Sequence, residues 1–493
     1  MEVSSVYLAV ATLASLLLLS KVLFGSSTKQ QWPPGPKKLP LIGNLHQLGG
    51  GGEPLHWTLA DFARKHGKLM TVWFGSQKPN IVVTDLELAW ELLVTKGADY
   101  WSRKMPFLAK ITTAGYRTMS ACDGGPYWES LRKGLHATAL NPQTISSQTK
   151  LQEQDIADMI SKMQQEADLN SGVVKPLHHL RELAIRLIYR LSFGTGVPIE
   201  ERFVRRMDEL IEEQMGIWAA AHLVDVFEFT KHIPGLKPPL KETKAHTERI
   251  KELLRPCLAA SKKYSLSGNN THLSFLLSQG FSEEVILLNL FEVFNFGVDS
   301  TSASIVWALG FLILERETQE KLYKEMEAKL GGSRRMVRVE DVSGMEYIHA
   351  VVKETMRMRP VAPMAMPHRA ARDTELKGLK VKEGTSMMVN LYALLHDEKV
   401  WKDPNRFVPE RFLKRNGADD LKKMERYYFP FGAGRRVCPG IELAKVEVAV
   451  ALANLVNSFE WRNAVEGQPP DLSETLCPLL EMKTPLVARI VPR

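Results

Sequence analysis

The stretch "FGAGRRVCPG", Phe431–Gly440, decides the fold because of the cysteine that it contains. Cys438 is one of four cysteines in the 493-residue chain, and it lies among glycines and arginines. A cysteine that only fills a core behaves as a small apolar residue and normally lies in an apolar run. Here the backbone must bend sharply and positive charge is close, so the pattern indicates a reactive or metal-binding sulfur.

The spacing F-x-x-G-x-R-x-C-x-G suits a loop that holds haem. A thiolate is a soft axial ligand for haem iron. Gly434 and Gly440 would let the loop approach a porphyrin closely, because no Cβ intervenes. Arg436 would supply a cation for a haem propionate. The alternative is an ordinary glycine-rich turn that happens to contain Cys438.

The N-terminus carries an uncharged apolar segment, Val3–Ser20, that Val22–Phe24 extend. About 20 apolar residues span a bilayer core. Glu2 precedes the segment and lysines follow it, a bias that places the rest of the chain in the cytoplasm. We therefore predict a transmembrane anchor over residues 1–24. A cleaved signal peptide is the alternative, but it requires a basic start and a shorter apolar run.

Residues 25–44 contain four prolines and predict a stiff, extended hinge. Residues 45–493 then form one large domain, because no linker or repeat divides them. The net charge of +8 and the absence of a basic arm predict no nucleic-acid partner. The four scattered cysteines predict a reducing compartment without a disulfide framework. On this topology the sequon at Asn269 stays unmodified.

Apolar periodicity predicts a mainly α fold with small β-sheets. Residues 67–83 read as a β-hairpin, and short strands are expected near 379–381 and 386–390. The longest helical stretch follows Ser282, a candidate N-cap, and runs over residues 283–316. Its middle is apolar on almost every side, so we expect it to cross the interior.

Other charged and aromatic residues repeat at helical spacing. Glu354 and Arg357 lie one turn apart, which alone would be a common surface pair. Arg411 follows in "FVPERF", and "WESLR" places Trp128 and Arg132 on one helical face.

Together these motifs resemble the cytochrome P450 family of haem-thiolate monooxygenases over nearly the whole chain, and the anchor and hinge resemble plant microsomal members. The resemblance implies a haem b cofactor between the long central helix and the cysteine loop, with Cys438 as the axial iron ligand. It also implies a structural charge network of Glu354, Arg357 and Arg411. Four residues of this chain match positions that contact haem propionates in related members: Trp128, Arg132, His368 and Arg436.

The family places a small residue and then Gly-x-Asp/Glu-Thr beside the oxygen site. In this sequence Gly297 would open the oxygen groove, Asp299 would relay protons, and Ser300 would hold the catalytic hydroxyl. Ser300 replaces a threonine, and Phe296 replaces Ala or Gly. These departures indicate either neutral drift or a pocket reshaped for an aromatic substrate.

The stretches "GVDSTS", "FGAGRRVC" and "NLVNSFEW" resemble the plant methylenedioxy-bridge-forming group, which acts on ortho-methoxyphenols. This resemblance predicts bridge formation on an aromatic alkaloid, lignan or phenylpropanoid. Aromatic hydroxylation or O-demethylation is the alternative; a hydroperoxide isomerase and a non-catalytic haem sensor are more remote. Candidate pocket residues, each of which could instead fill the core, are Phe294, Phe296, Met364 and Met366.

The electron supply predicts the partners. No G-x-G-x-x-G fingerprint follows a strand, so NADPH is expected to act through a separate cytochrome P450 reductase at the endoplasmic reticulum membrane. We expect the reductase to dock on the cysteine-side face, where four basic residues surround the loop: Lys422, Lys423, Arg426 and Arg435.

Overall fold

The computed structural model describes residues 32–48, 53–75, 79–220, 223–264, 271–333, 335–413 and 418–493, together with residue 15. The anchor predicted over residues 1–24 and the sequon asparagine therefore lie outside the described residues, with the exception of Ser15. The fold is mainly helical with small sheets, as the sequence predicts.

The described part of the chain forms eighteen α-helices. They are α1 (Leu55–His66), α2 (Leu86–Trp90), α3 (Ala109–Thr112), α4 (Pro126–Ala137), α5 (Pro142–Ser147), α6 (Thr149–Leu169), α7 (Pro176–Phe193), α8 (Glu201–Ala219), α9 (Leu223–Val226), α10 (Leu240–Tyr264), α11 (His272–Ser278), α12 (Glu283–Leu314), α13 (Arg316–Leu330), α14 (Val339–Val342), α15 (Glu346–Met358), α16 (Leu391–Leu395), α17 (Ala418–Arg426) and α18 (Ile441–Ser458).

Twelve short strands make four small sheets among the described residues. They are β1 (Leu69–Val72), β2 (Asn80–Val83), β3 (Ser102–Arg103), β4 (Val173–Val174), β5 (His368–Arg369), β6 (Thr374–Leu376), β7 (Leu379–Val381), β8 (Ser386–Val389), β9 (Phe459–Asn463), β10 (Glu474–Cys477), β11 (Leu479–Met482) and β12 (Ala488–Pro492). The orders are β1-β2-β8-β5-β3, β4-β12-β9, β6-β7 and β10-β11.

The predicted hairpin is confirmed, since β1 pairs antiparallel with β2 and Leu69 lies opposite Val83. The described part of the predicted hinge, residues 32–44, packs on this hairpin. The Thr71 N–H donates to the Pro34 carbonyl over 3.0 Å, and the Asn44 N–H donates to the Trp73 carbonyl over 2.7 Å. These hydrogen bonds fix the path of residues 32–44 along the hairpin.

Helix α12 is the central element of the fold. Its middle is buried on nearly all sides, as the sequence predicts, so it crosses the interior. Ser282 occupies the N-cap position, but its side chain makes no capping hydrogen bond, in contrast to our expectation. The helix ends at Leu314 and not at residue 316, because Glu315 leaves helical geometry (φ −103°, ψ 70°) before α13 begins.

Two apolar clusters pack along α12. Its N-terminal half contacts α7, α8, α10 and α11, and its C-terminal half contacts α6, α13, α15 and α18. Within the described residues α12 is the one helix long and apolar enough to cross a membrane, but 78% of its most apolar window is buried inside the protein. Its apolar character is thus explained by the core.

Candidate active site

The cysteine loop is a closed turn that precedes α18. The Cys438 N–H donates to the Phe431 carbonyl over 3.0 Å. Gly434 has a φ of 69°, and a Cβ on it would overlap the Leu93 carbonyl of the π-helical turn Glu91–Thr95. Gly434 therefore lets the loop pack on this turn, and its role in porphyrin approach stays a prediction. A Cβ on Gly440 would meet no atom within 4 Å, so that side of the loop can accept a close planar ligand.

The Cys438 thiol lies in a site that does not favour a free thiolate. Burial raises its pKa, while the Gly440 N–H and the Arg132 guanidinium act in the opposite direction. Arg132 donates from Nη1 to the Val437 carbonyl over 2.6 Å, which fixes its charge next to the sulfur. A thiolate here needs a further cation, and a bound metal ion supplies one.

Arg436 ties the cysteine loop to the segment before α4. Its three guanidinium nitrogens donate to the backbone carbonyls of Trp101, Met119 and Cys122 over 2.6–3.1 Å. Its guanidinium carbon also lies 4.5 Å from the centroid of the Trp128 ring. Arg436 therefore joins the cysteine loop to the segment before α4, a structural role that we did not predict from the sequence. It also places a positive charge beside the loop.

Half-buried arginines collect around this loop. Arg103 on β3 is half-buried, and its Nε has no partner among the described residues. Burial and the nearby Arg436 lower the pKa of Arg103 to about 9. Burial and the charge of Arg103 lower the pKa of His368 to about 3, and its Nδ1 lies 2.7 Å from the Tyr100 carbonyl. The half-buried charges of Arg103 and Arg436 favour nearby anions, and the two propionates of haem are such anions.

The predicted charge network is present, with Glu354 and Arg357 completely buried and Arg411 partly exposed. Arg357 donates from Nε and Nη2 to the two carboxylate oxygens of Glu354, over 2.8 and 2.9 Å. Arg411 donates from Nε to the same carboxylate over 3.0 Å, and the Val408 N–H adds a fourth bond. The pair is therefore not the surface pair that its helical spacing alone would suggest.

Asp299 faces away from the cysteine loop, toward α7 and α8. Its carboxylate accepts a hydrogen bond from Arg181, which also pairs with Asp208 on α8. Burial raises the pKa of Asp299 to about 6, although Arg181 acts to lower it. Asp208 is partly exposed, so the three residues link the buried carboxylate to the surface.

The structure does not join Ser300 to Asp299, although the sequence grouped them. The Ser300 hydroxyl donates to the Phe296 carbonyl one turn earlier, over 2.7 Å. The oxygen-groove role of Gly297 stays a prediction, but the structure gives this glycine a role in helix packing. A Cβ on it would lie 2.6 Å from Ile188 Cδ1, so this glycine lets α7 approach α12.

Of the four candidate pocket residues, Phe296 is the one with a suitable position. It is half-buried, and its ring lies 5.6 Å from that of Trp218 on α8. Phe294 is fully buried between Phe193 and Phe203, so it is a core residue and not a pocket residue.

The two methionines belong to the packing around the large sheet. Met364 packs against the apolar cluster that includes Met70 and Val82. Met366 contributes its backbone carbonyl to Arg103 Nη1 over 2.7 Å. Neither contact places the side chain in a substrate site.

Sequence reasoning missed Arg103 and Trp101. Trp101 packs edge-on against Trp128, with ring centroids 5.8 Å apart, and the Arg435 guanidinium lies 5.1 Å from its centroid. Both residues precede the cysteine loop by more than 300 positions, so local spacing carries no signal for them. Only the pairing of β3 with β5 brings Arg103 beside His368.

Comparison with known proteins identifies the family of this chain. A sequence model of the family described as cytochrome P450 matches residues 33–487. The chain is similar to a cheilanthifoline synthase of Eschscholzia californica, with 46% identity and 99% of both chains covered. It is also 47% identical to a trifunctional (S)-stylopine, (S)-nandinine and (S)-canadine synthase of Argemone mexicana, over 94% of this chain and 91% of that one. A solved zebra fish cytochrome P450, crystallised with progesterone, matches with a TM-score of 0.74 and 25% identity over 90% of this chain and all of that one.

A closed cysteine loop fits a haem-binding oxidoreductase when the arginines beside it, Arg103, Arg132 and Arg436, have no carboxylate partner among the described residues. The chain belongs to the cytochrome P450 family. As a member, it is a monooxygenase that carries haem with Cys438 as the iron ligand, and it receives electrons from NADPH through a reductase.

Proposed function

We propose that this protein closes a methylenedioxy bridge on an ortho-methoxyphenol in plant specialised metabolism. The observation that carries the proposal is the 46–47% identity to relatives, over at least 91% of either chain, within the bridge-forming group that the sequence resembles. The reaction oxidises the O-methyl carbon, and the neighbouring phenol oxygen then bonds to that carbon. Substrate, O₂, NADPH and a proton yield the bridged product, two waters and NADP⁺.

The haem supplies the oxidising power for this reaction once Cys438 ligates its iron. We assign the propionate contacts to Trp128, Arg132, His368 and Arg436. We add Arg103 because its guanidinium has no carboxylate partner, and its Nε no hydrogen-bond partner, among the described residues. Gly440 leaves the loop open to a flat ring. The Glu354–Arg357–Arg411 network holds the segments that support the loop.

Proton movement is assigned to Asp299 and Ser300. Asp299 has a pKa near working pH, so it can take up and release protons, while Arg181 holds its carboxylate in place. The Ser300 hydroxyl bonds to the Phe296 carbonyl and can rotate to pass a proton onward. A serine keeps this ability, although it lacks the methyl that restricts a threonine rotamer.

Substrate placement is assigned to the aromatic pair of Phe296 and Trp218. Their rings lie 5.6 Å apart at 43°, an arrangement that can hold a planar ring along α12. Ring closure must be faster than loss of the oxidised carbon as formaldehyde. A site that excludes water and holds both substrate oxygens favours closure by proximity.

Incubation of the protein and a reductase with NADPH and a panel of ortho-methoxyphenols tests the reaction. We expect a product two hydrogens lighter than its substrate by mass spectrometry. A product that gains one oxygen, or loses a methylene unit, would instead establish the alternative of hydroxylation or O-demethylation.

We also propose that the protein lies on the endoplasmic reticulum membrane through a single anchor at residues 1–24, with the catalytic domain in the cytoplasm. Exposed apolar side chains support this placement. Leu39 and Leu41 are about half exposed, and Phe229 is 60% exposed. Gly75 follows β1 and packs against Val226 and Phe227. The exposed side chains of Leu39 and Leu41 therefore lie near the exposed ring of Phe229. An apolar surface of this kind suits contact with lipid.

A further inference from the structure

A small cavity lies between α3, α8 and α12, and two amide side chains of its wall are not fully satisfied by the described residues. Thr112, Gln214, Trp218, Glu292 and Asn295 contribute to its wall. Within the described part of the chain, both ends of the Asn295 amide lack a hydrogen-bond partner, and so does Gln214 Nε2. Each of these two side chains is 99% buried. Unsatisfied buried amides of this kind are costly and rare, so they need an explanation.

The cavity adjoins the proposed substrate position. Trp218 lines the cavity and also packs against Phe296. Asn295 precedes Ser300 by five residues, which is about 7.5 Å along the helix axis. A substrate held by Phe296 and Trp218 can therefore extend one end toward Asn295.

The chemistry of the wall selects one kind of group. Asn295 presents both a donor and an acceptor, and Gln214 presents a donor, because its Oε1 lies 3.2 Å from His246 Nε2. A carboxylate would leave the acceptor of Asn295 unpaired and would lie near Glu292. An ammonium group would leave both amide donors unpaired. A hydroxyl accepts and donates, so it matches all three atoms.

The remaining wall is consistent with a neutral guest. Burial raises the pKa of Glu292, and its carboxylate already accepts bonds from the N–H and the hydroxyl of Ser120. Trp218 donates from Nε1 to the Thr112 hydroxyl over 3.2 Å, so it offers no free polar atom. The cavity has room for about one oxygen-sized group.

We propose that Asn295 and Gln214 bind a hydroxyl substituent at the end of the substrate remote from the reacting ring. This inference rests on the proposed function. It limits the proposed substrates to aromatic compounds that carry a hydroxyl group far from the reacting ring. A single ordered water offers the same hydrogen bonds, so the test must separate it from a substrate hydroxyl.

The test compares two probes that share the reacting ring. One is a guaiacol ring joined by an ethylene bridge to a para-hydroxyphenyl ring, and the other has a plain phenyl ring instead. Dissociation constants of the haem-loaded protein are measured by equilibrium dialysis. We expect wild type to bind the hydroxyl probe about tenfold more tightly, and Asn295→Leu to bind both probes equally.

Gln214→Met provides a second variant, for which we expect at least a threefold loss of the same preference. Asn463→Leu is the matched control, because Asn463 Oδ1 is also buried without a partner but lies on β9, and it should keep the wild-type preference. Equal binding of the two probes by wild type, or an unchanged preference in Asn295→Leu and Gln214→Met, would mean that the cavity holds an ordered water only. Because binding is measured without turnover, a failure of bridge formation in the product assay would not affect this result.

Discussion

Asp299 is subject to two opposing influences. Burial favours its neutral form, and Arg181 favours its charged form, which leaves its pKa at about 6. A carboxyl with an ordinary pKa would be almost fully ionised at neutral pH and would be a poor proton donor. Its partners on α7 and α8 thus make Asp299 able to exchange protons in the range where the enzyme works.

At the scale of this residue, we predict a pH effect. The protonated fraction of Asp299 falls as pH rises from about 6 to about 8, so reductase-supported product formation should decline over that range. Asp299→Asn should lower turnover by about 10²-fold and remove this decline. Asp208→Asn, which changes the partly exposed partner of Arg181, should retain the decline. A wild-type pH profile in Asp299→Asn would exclude the relay.

The packing of α7 against α12 depends on the glycine at position 297. The missing side chain makes space for Ile188, and the close approach of the two helices brings Arg181 within reach of Asp299. Gly297 thus contributes to the site through helix packing. In the family the glycine at this position is associated with the oxygen groove. In this chain it also forms part of the contact between α7 and α12.

At the scale of this element pair, we predict that Gly297→Ala destabilises the haem-loaded protein by about 1–3 kcal/mol, because the new Cβ lies 2.6 Å from Ile188 Cδ1. Ile188→Val removes that methyl, so the double variant should regain most of the loss. Denaturant unfolding measures these differences. Gly216→Ala on α8 is the control, since its Cβ would meet no atom and should leave stability equal or higher. Additive effects of the two substitutions would contradict the proposed contact.

Elements that depend on local sequence could be predicted, and long-range contacts could not. The hairpin and the buried central helix follow from residue periodicity, which is a local property. The burial of Glu354 and the position of Phe294 depend on which elements pack together. Arg103 joins the site through strand pairing across more than 260 residues. The cysteine loop was found because its ligand and its supporting residues lie within ten positions.

At the scale of the whole molecule, the basic residues around the cysteine loop offer a face for the reductase. Lys422 and Lys423 are exposed, and Lys423 donates to the Lys399 carbonyl over 2.7 Å. Arg426 and Arg435 are partly neutralised by carboxylates of Glu87 and Glu129. The charges of the two lysines of α17 are therefore less neutralised by carboxylates than those of Arg426 and Arg435. We propose that these lysines contact acidic groups of the reductase.

We predict that reductase-supported activity falls as salt rises from about 0.05 to about 0.5 M, because the surface charges become screened. The double variant Lys422→Glu/Lys423→Glu should raise the KM for reductase by about fivefold or more at low salt. The matched control, Lys241→Glu/Lys244→Glu, carries the same charge change on α10 and should behave as wild type. Activity that is independent of salt would remove the electrostatic docking.

The proposed activity of this protein depends on ligation of haem iron by the Cys438 sulfur. The most direct measurement is the absorption difference spectrum of the purified, reduced protein with and without carbon monoxide. We predict the thiolate-type band in wild type and its loss in Cys438→Ser, even in preparations of the variant that still contain haem. A wild-type protein that lacks the band when supplied with ample haem, or a Cys438→Ser variant that retains it, would contradict the account.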